Sequence, residues 1–148
     1  MTTTPRQRWM SVLARASAAE LAAHLADAPP LPPHTRLRGP EAGLVMTRGR
    51  AGGTGQAFNL GEMTVTRCTV RTQAGEIGHA YVASRDAAQA ELAARIDAAM
   101  QNPDLHDALE AAVIAPLAAA QAAARDTAAR QAAATRVQFF TMATMRTS

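Results

Sequence analysis

Apolar and polar positions divide the chain into three zones. From residue 4 to 28 the spacing is helical. Thr4-Pro5-Arg6-Gln7 supplies an N-cap, a proline at the first helical position and a capping-box glutamine, and Trp9, Met10 and Leu13 follow as an apolar stripe. A second capping box, Ser17-Ala18-Ala19-Glu20, predicts a new helix with Leu21 and Leu25 on one face. The prolines of Ala28–Pro33 end it and form a stiff, extended linker.

The middle zone, 35–84, alternates as antiparallel strands do. Gly43–Arg48 is a short strand running into the turn residues Gly52-Gly53-Thr54-Gly55. Between Glu62 and Thr72, the residues Met63, Val65, Arg67, Thr69 and Arg71 share one face, and Thr64, Thr66, Cys68 and Val70 the other. Ala74-Gly75 closes a hairpin and Ile77–Ala83 returns.

Residues 86–134 are helical. Asp86 caps a helix whose Ala88, Leu92, Ile96 and Met100 repeat every four residues, the expected core stripe. Asn102-Pro103 caps a second helix with Leu105, Leu109 and Val113 in line, and Pro116 is expected to break or kink it. Residues 117–134 hold eleven Ala and one large apolar residue, Leu117, which predicts a helix that buries little. Over 136–142 a last strand is expected; Phe139 and Phe140 would face opposite ways, one into this domain and one toward a partner. The fold class is α+β, with N-terminal helices, a central antiparallel sheet and C-terminal helices ending in an additional strand. As one domain over 1–148 it divides into a helical arm (1–28), strands (35–84), helices (86–134) and the final strand (136–142).

Composition makes the core thin. Of 148 residues, 37 are Ala, while Leu, Ile, Val and Phe total 24, which is low for a domain that folds without help. With a net charge of only +3, charge-driven disorder is not expected. A chain that leans on a partner is. No uninterrupted apolar run approaches the roughly 20 residues that span a bilayer, and the first residues lack a signal-peptide core. A cytoplasmic location away from membranes is expected. All fifteen basic residues are Arg, and seven lie within 36–85 against three acids, so positive charge gathers in the middle zone.

Candidate chemistry is sparse. Arg50-Ala51-Gly52-Gly53-Thr54-Gly55 can offer backbone N–H groups to an anion, but it lacks the Lys of a phosphate loop and is followed by a strand, not a helix. A glycine-rich turn between strands is the more economical reading of the sequence alone. Arg67 and Arg85, at or near strand ends, could join Arg50 in binding phosphate oxygens or an acidic partner. Glu62 and Glu76 flank the hairpin without a paired pocket; Cys68 stands amid a strand with no neighbouring His; and the four His are scattered, so no catalytic or metal constellation is expected from this chain alone. The two N-terminal helices admit a small helix-turn-helix, DNA-binding or regulatory alternative. Its second helix, with Glu20, His24 and Asp27, is too acidic for a recognition helix.

The motifs taken in order resemble a known family. Arg6–Leu13, Gly43-Leu44-Val45, Arg50–Gly55 with Phe58, Gly61-Glu62, Thr66-Arg67-Cys68, Arg85-Asp86, Ala90-Glu91, Ile96-Asp97-Ala98, Ile114–Leu117 and Arg136-Val137 with Phe139–Met142 are similar to the G subunits of the bacterial carbon–phosphorus lyase, with unchanged spacing over nearly the whole chain. Ser84 stands where that family tends to have Gly, Gln89 where His is common, and Gln138 where an Asp is expected. The resemblance implies an accessory subunit that assembles with the H, I and J subunits, the I subunit being the direct contact. It implies support for displacement of adenine from ATP by an alkylphosphonate, giving ribose 1-alkylphosphonate 5-triphosphate, with catalysis on the I subunit. No cofactor is expected on this chain alone; ATP and a divalent cation, magnesium, are implied for the complex. Arg50, Gly52, Gly53, Thr54, Gly55, Arg67 and Arg85 become candidate anion or partner contacts, and Phe139 and Phe140 candidate interface residues.

Overall fold

A computed structural model describes residues 3–50 and 55–137. Helix α1 (Pro5–Leu13) starts at Thr4 and α2 (Ala18–Leu25) at Ser17, each through the reciprocal capping box its sequence spells out. Both helices are packed into the body, with Trp9, Val12, Leu13 and Leu21 buried. Single side chains of that size cannot be left in water on a short helix, so the tertiary core captures them.

The sheet has three antiparallel strands in the order β1 (His34–Gly49), β2 (Phe58–Thr72), β3 (Ile77–Val82). Strand β1 is much longer than the six residues the alternation marks, because it starts nine residues earlier, at His34. Its first half is irregular. Five steps from Arg36 to Glu41 face only three steps of β2, from Val70 to Arg67. Gly39 sits in that bulge with φ of 66°, and an added Cβ would meet the Arg67 carbonyl oxygen at 2.5 Å, so glycine is required there. The alternation of β2 holds: Thr66, Cys68, Val70 and Thr72 are buried while Arg67 and Arg71 are exposed. Val65 departs from it, being buried although it lies outside the main core cluster.

Helix α3 (Ala87–Ala99), capped by Asp86, covers the inner face of the sheet. The expected Ala88-Leu92-Ile96-Met100 stripe is half right. Ile96 and Met100 are buried, but Ala88 is exposed, Leu92 is only half-buried, and the fully buried face toward the sheet carries Ala90, Ala93, Ala94, Asp97 and Ala98. Small side chains win here because they let the helix backbone come down onto Gly78 of β3. Helix α4 (Pro103–Leu109) opens at the Asn102 cap. Pro116, expected to break or kink this helix, does not end it but follows an interruption of its α-helical pattern. A π-turn, Glu110–Ile114, precedes it and leads straight into α5 (Ala115–Ala134). The wider turn takes up the clash a proline ring makes with the carbonyl four residues back, and the Ala115 N–H bonds to the Glu110 carbonyl.

Gln121 Nε2 donates to the Val12 carbonyl at 3.0 Å and ties α5 to α1. From residue 123 to 137 the chain is exposed throughout. Among the described residues, the continuous helical stretch Pro103–Ala134 is long and apolar enough by composition to cross a bilayer, but its large apolar side chains Leu109, Val113, Ile114 and Leu117 are buried in the protein core. The expected final strand over 136–142, with Phe139 and Phe140, lies outside the described residues apart from its first two positions.

Candidate functional site

Two carboxylates fasten the helical layer to the sheet. Asp97, on the small-residue face of α3, is fully buried and accepts four hydrogen bonds: from Arg6 Nε at 3.2 Å, Arg6 Nη2 at 2.7 Å, Trp9 Nε1 at 2.8 Å and the His79 backbone N–H at 2.9 Å. One side chain thus joins α1, α3 and β3. The sequence held a signal for it, since Asp97 falls in register with Ala90, Ala93 and Ala94, and a charge on a core face must be paired. Glu91 binds Arg36 through both oxygens, at 3.0 and 2.7 Å, and His34 Nε2 lies 3.0 Å away. The Arg36 guanidinium, helped by His34, holds the Glu91 carboxyl below the usual glutamate range.

That depression has a sign. A carboxylate whose pKa is lower folded than unfolded adds stability above its unfolded pKa and loses it as pH falls through the folded one. Glu91→Gln should therefore narrow the stability difference between about pH 6 and about pH 3, around the ordinary glutamate value of about 4.3. Arg36→Ala should move the Glu91 titration back up, read by NMR. An unchanged Glu91 titration in that variant would show that Arg36 is not its cause.

Gln89 is nine-tenths buried at the start of α3. Its Nε2 donates to the Ala16 carbonyl at 2.7 Å, and its Oε1 accepts from Ser84 Oγ at 2.8 Å. Ser84 and Gln89, two of the departures from the resembled family pattern, thus form one hydrogen-bonded pair. With Gly at 84 the Gln89 oxygen would lose its donor.

The candidate anion residues are spread out. Arg67 lies exposed on the outer face, opposite Glu41 and Tyr81, and its Nε donates to Glu41 Oε1 at 2.7 Å. Arg38 Nε shares the same oxygen at 2.6 Å, and these two guanidiniums lower the Glu41 pKa. Arg85 belongs to the inner side, where it lines a groove of about 280 Å³ with Ala42, Gly43, Leu44 and Thr64. Arg50 follows Gly49, which pairs with Phe58, nine positions along β2 from Arg67 or roughly 30 Å. The structure thus does not bring Arg50, Arg67 and Arg85 to one point. Gly55 is an exposed bend; Gly52, Gly53 and Thr54 lie outside the described residues.

Other chemistry is likewise dispersed. Glu76 is level with Thr72, whose backbone N–H donates to the Glu76 carbonyl at 3.0 Å, ten positions from Glu62 and roughly 34 Å away. Burial pushes the Cys68 thiol up, away from an activated thiolate. A divalent cation needs several oxygen ligands, and among the described residues no three His, Cys, Asp or Glu come together. The described residues therefore hold no ligand set for the divalent cation that the resemblance implies. For the DNA-binding alternative, Arg6 and Arg8 are held by Asp97 and Glu110, which leaves α1 little free positive charge.

The hairpin beyond α3 has another character. Every residue from Phe58 to Met63 is exposed, and Leu44 and Met46 on the facing strand are 62% and 59% exposed. What the described residues bring together there is an exposed apolar surface.

The family model for phosphonate metabolism protein PhnG matches residues 4–145. A relative from Rhizobium meliloti (strain 1021), described as alpha-D-ribose 1-methylphosphonate 5-triphosphate synthase subunit PhnG, is 46% identical over 140 residues, covering 93% of this chain and 87% of the relative.

Proposed function

The chain belongs to the PhnG family of phosphonate metabolism proteins, and on that premise we propose that it is the accessory subunit of a ribose 1-methylphosphonate 5-triphosphate synthase. The observation that carries the reading is the 46% identity along nearly the whole of both chains to a protein described as such a subunit. In this reading an alkylphosphonate oxygen replaces adenine on the ribose of ATP, and the I subunit performs the exchange. The H, I and J subunits complete the assembly, which is cytoplasmic, and ATP and magnesium bind in the complex. Arg50, Gly52, Gly53, Thr54, Gly55, Arg67 and Arg85 contact anions or partners, and Phe139 and Phe140 lie at an interface. The thin core and the uncovered hairpin support a chain that works inside a larger particle.

Co-expression with the I subunit should give one species in size-exclusion chromatography. The isolated chain should release no adenine from ATP and methylphosphonate, whereas the assembled subunits should. Adenine release by the chain alone, with an inactive control preparation blank, would make it an enzyme and overturn the accessory role.

A further inference from the structure

Helices α1 and α5 leave a groove of about 670 Å³ between them. Arg8, Ser11, Val12 and, just past the helix end, Arg15 line one wall at the three-and-four spacing of a single helix face. Ala118 and Arg125, seven positions apart on α5, line the other. Gln121 stands between those two and ties the helices together through the Val12 carbonyl, while the small Ala118 side chain leaves the space open. Of the three arginines, only Arg8 has a carboxylate partner among the described residues, Glu110 Oε1 at 2.8 Å. Arg15 and Arg125 are exposed and enter no ion pair there. Glu20, the first acid along the chain, is engaged at the Ser17 cap. Three guanidiniums thus stand against one carboxylate, and the groove is positive.

We propose that this groove binds an oligophosphate chain, free or carried by a nucleotide, with Arg8, Arg15 and Arg125 on its oxygens. Its size and concave shape are those of a small-ligand cleft. The walls are helix sides whose backbone groups are bonded internally, so the donors on offer are guanidinium forks and the Ser11 hydroxyl. A ligand that is all acceptor matches them, and guanidiniums hold phosphate oxygens through paired charge-assisted bonds. Length selects a chain over a single anion. Arg8 and Arg15 are seven positions apart, which sets their Cα atoms roughly 10 Å apart along the helix. A ligand that meets both ends carries its charge along its length, as successive phosphates do. Arg50, Arg67 and Arg85 are scattered, whereas these three arginines line one cavity. The site stands on charge and shape and does not depend on the subunit reading.

The test is calorimetric titration of the full chain with phosphate, pyrophosphate, tripolyphosphate and ATP. Affinity should rise from phosphate to pyrophosphate to tripolyphosphate and fall as salt is added. ATP separates the two sources: binding as tight as tripolyphosphate or tighter assigns the site to a nucleotide, and weaker binding assigns it to the free chain. Arg15→Gln and Arg125→Gln should each weaken tripolyphosphate binding about tenfold, the size of one hydrogen bond to a charged group. Their unfolding midpoints should stay unchanged, because neither side chain has an ion-pair partner to lose. Arg71→Gln removes the same charge from an exposed position on the sheet and should leave binding unchanged. Absence of tripolyphosphate binding overturns the proposal, and so does equal weakening by all three variants, which would mark general positive charge. If the chain binds no oligophosphate and the Arg15 and Arg125 variants no longer assemble with the other synthase subunits, the groove takes an acidic partner segment instead, and the proposal is overturned. Co-expression of the wild-type chain tests the subunit reading separately, so either can fail while the other stands.

Discussion

Asp97→Ala should lower stability by about 3–5 kcal/mol, the cost typical of breaking a buried ion pair. Removing the carboxylate strands the Trp9 indole N–H and the His79 backbone N–H in a dry interior and releases Arg6. Each buried donor left without a partner costs about 1–3 kcal/mol, so the network predicts a loss of that size without any cavity contribution. At this chain length the melting temperature should fall by roughly 10 °C or more. Arg6→Ala should cost less, because its guanidinium side is 39% exposed and water can replace it, while Trp9 and His79 stay bonded. Urea unfolding of both variants checks the order. An Asp97→Ala protein as stable as wild type would mean that α1 is held by apolar contacts alone.

Gly78→Ala should cost about 3 kcal/mol, the upper end of overpacking. A Cβ at position 78 would run into the Ala94 carbonyl oxygen and come within 2.6 Å of the Ala98 nitrogen. Both are backbone atoms of α3, so no rotamer change relieves them; the helix itself must lift from the sheet. Lifting it would disturb Asp97 and Glu91 on the same helix, so the loss should exceed that of an ordinary side-chain clash. Gly43→Ala is the control. It has nothing within 4 Å and an ordinary backbone, and its unfolding midpoint should stay unchanged. Equal behaviour of the two variants would show that the helix is not seated as closely as the structure has it.

Much of the candidate surface was legible along the chain, and its limits were geometric. The strand alternation placed Arg67 outward and Cys68 inward, as found. Nothing local could tell that Arg67 would be tied to Glu41, 26 residues earlier, or that Arg85 would lie by the inner groove. Three arginines that look like one anion site on paper are separated by the width and length of a sheet.

By itself the sequence determined what acts within a turn or a strand. The caps at Thr4, Ser17, Asp86 and Asn102 depend on partners two or three residues away, and the faces of β2 from Thr66 to Thr72 follow their parity. The ordered motifs also carried the family, because spacing is a property of the chain. Tertiary structure alone decided the rest. Asp97 finds Arg6 and Trp9 across 91 and 88 residues, Glu91 finds Arg36 across 55, and Pro116 is absorbed by a π-turn whose side chains the core needs in place. Among the described residues β3 covers only part of β2, being six residues long against fifteen, a mismatch that matters only once the strands pair. Local rules act through neighbours that covalent geometry guarantees; these contacts exist only when helices and sheet close on one another, and their energies are those of the packed state.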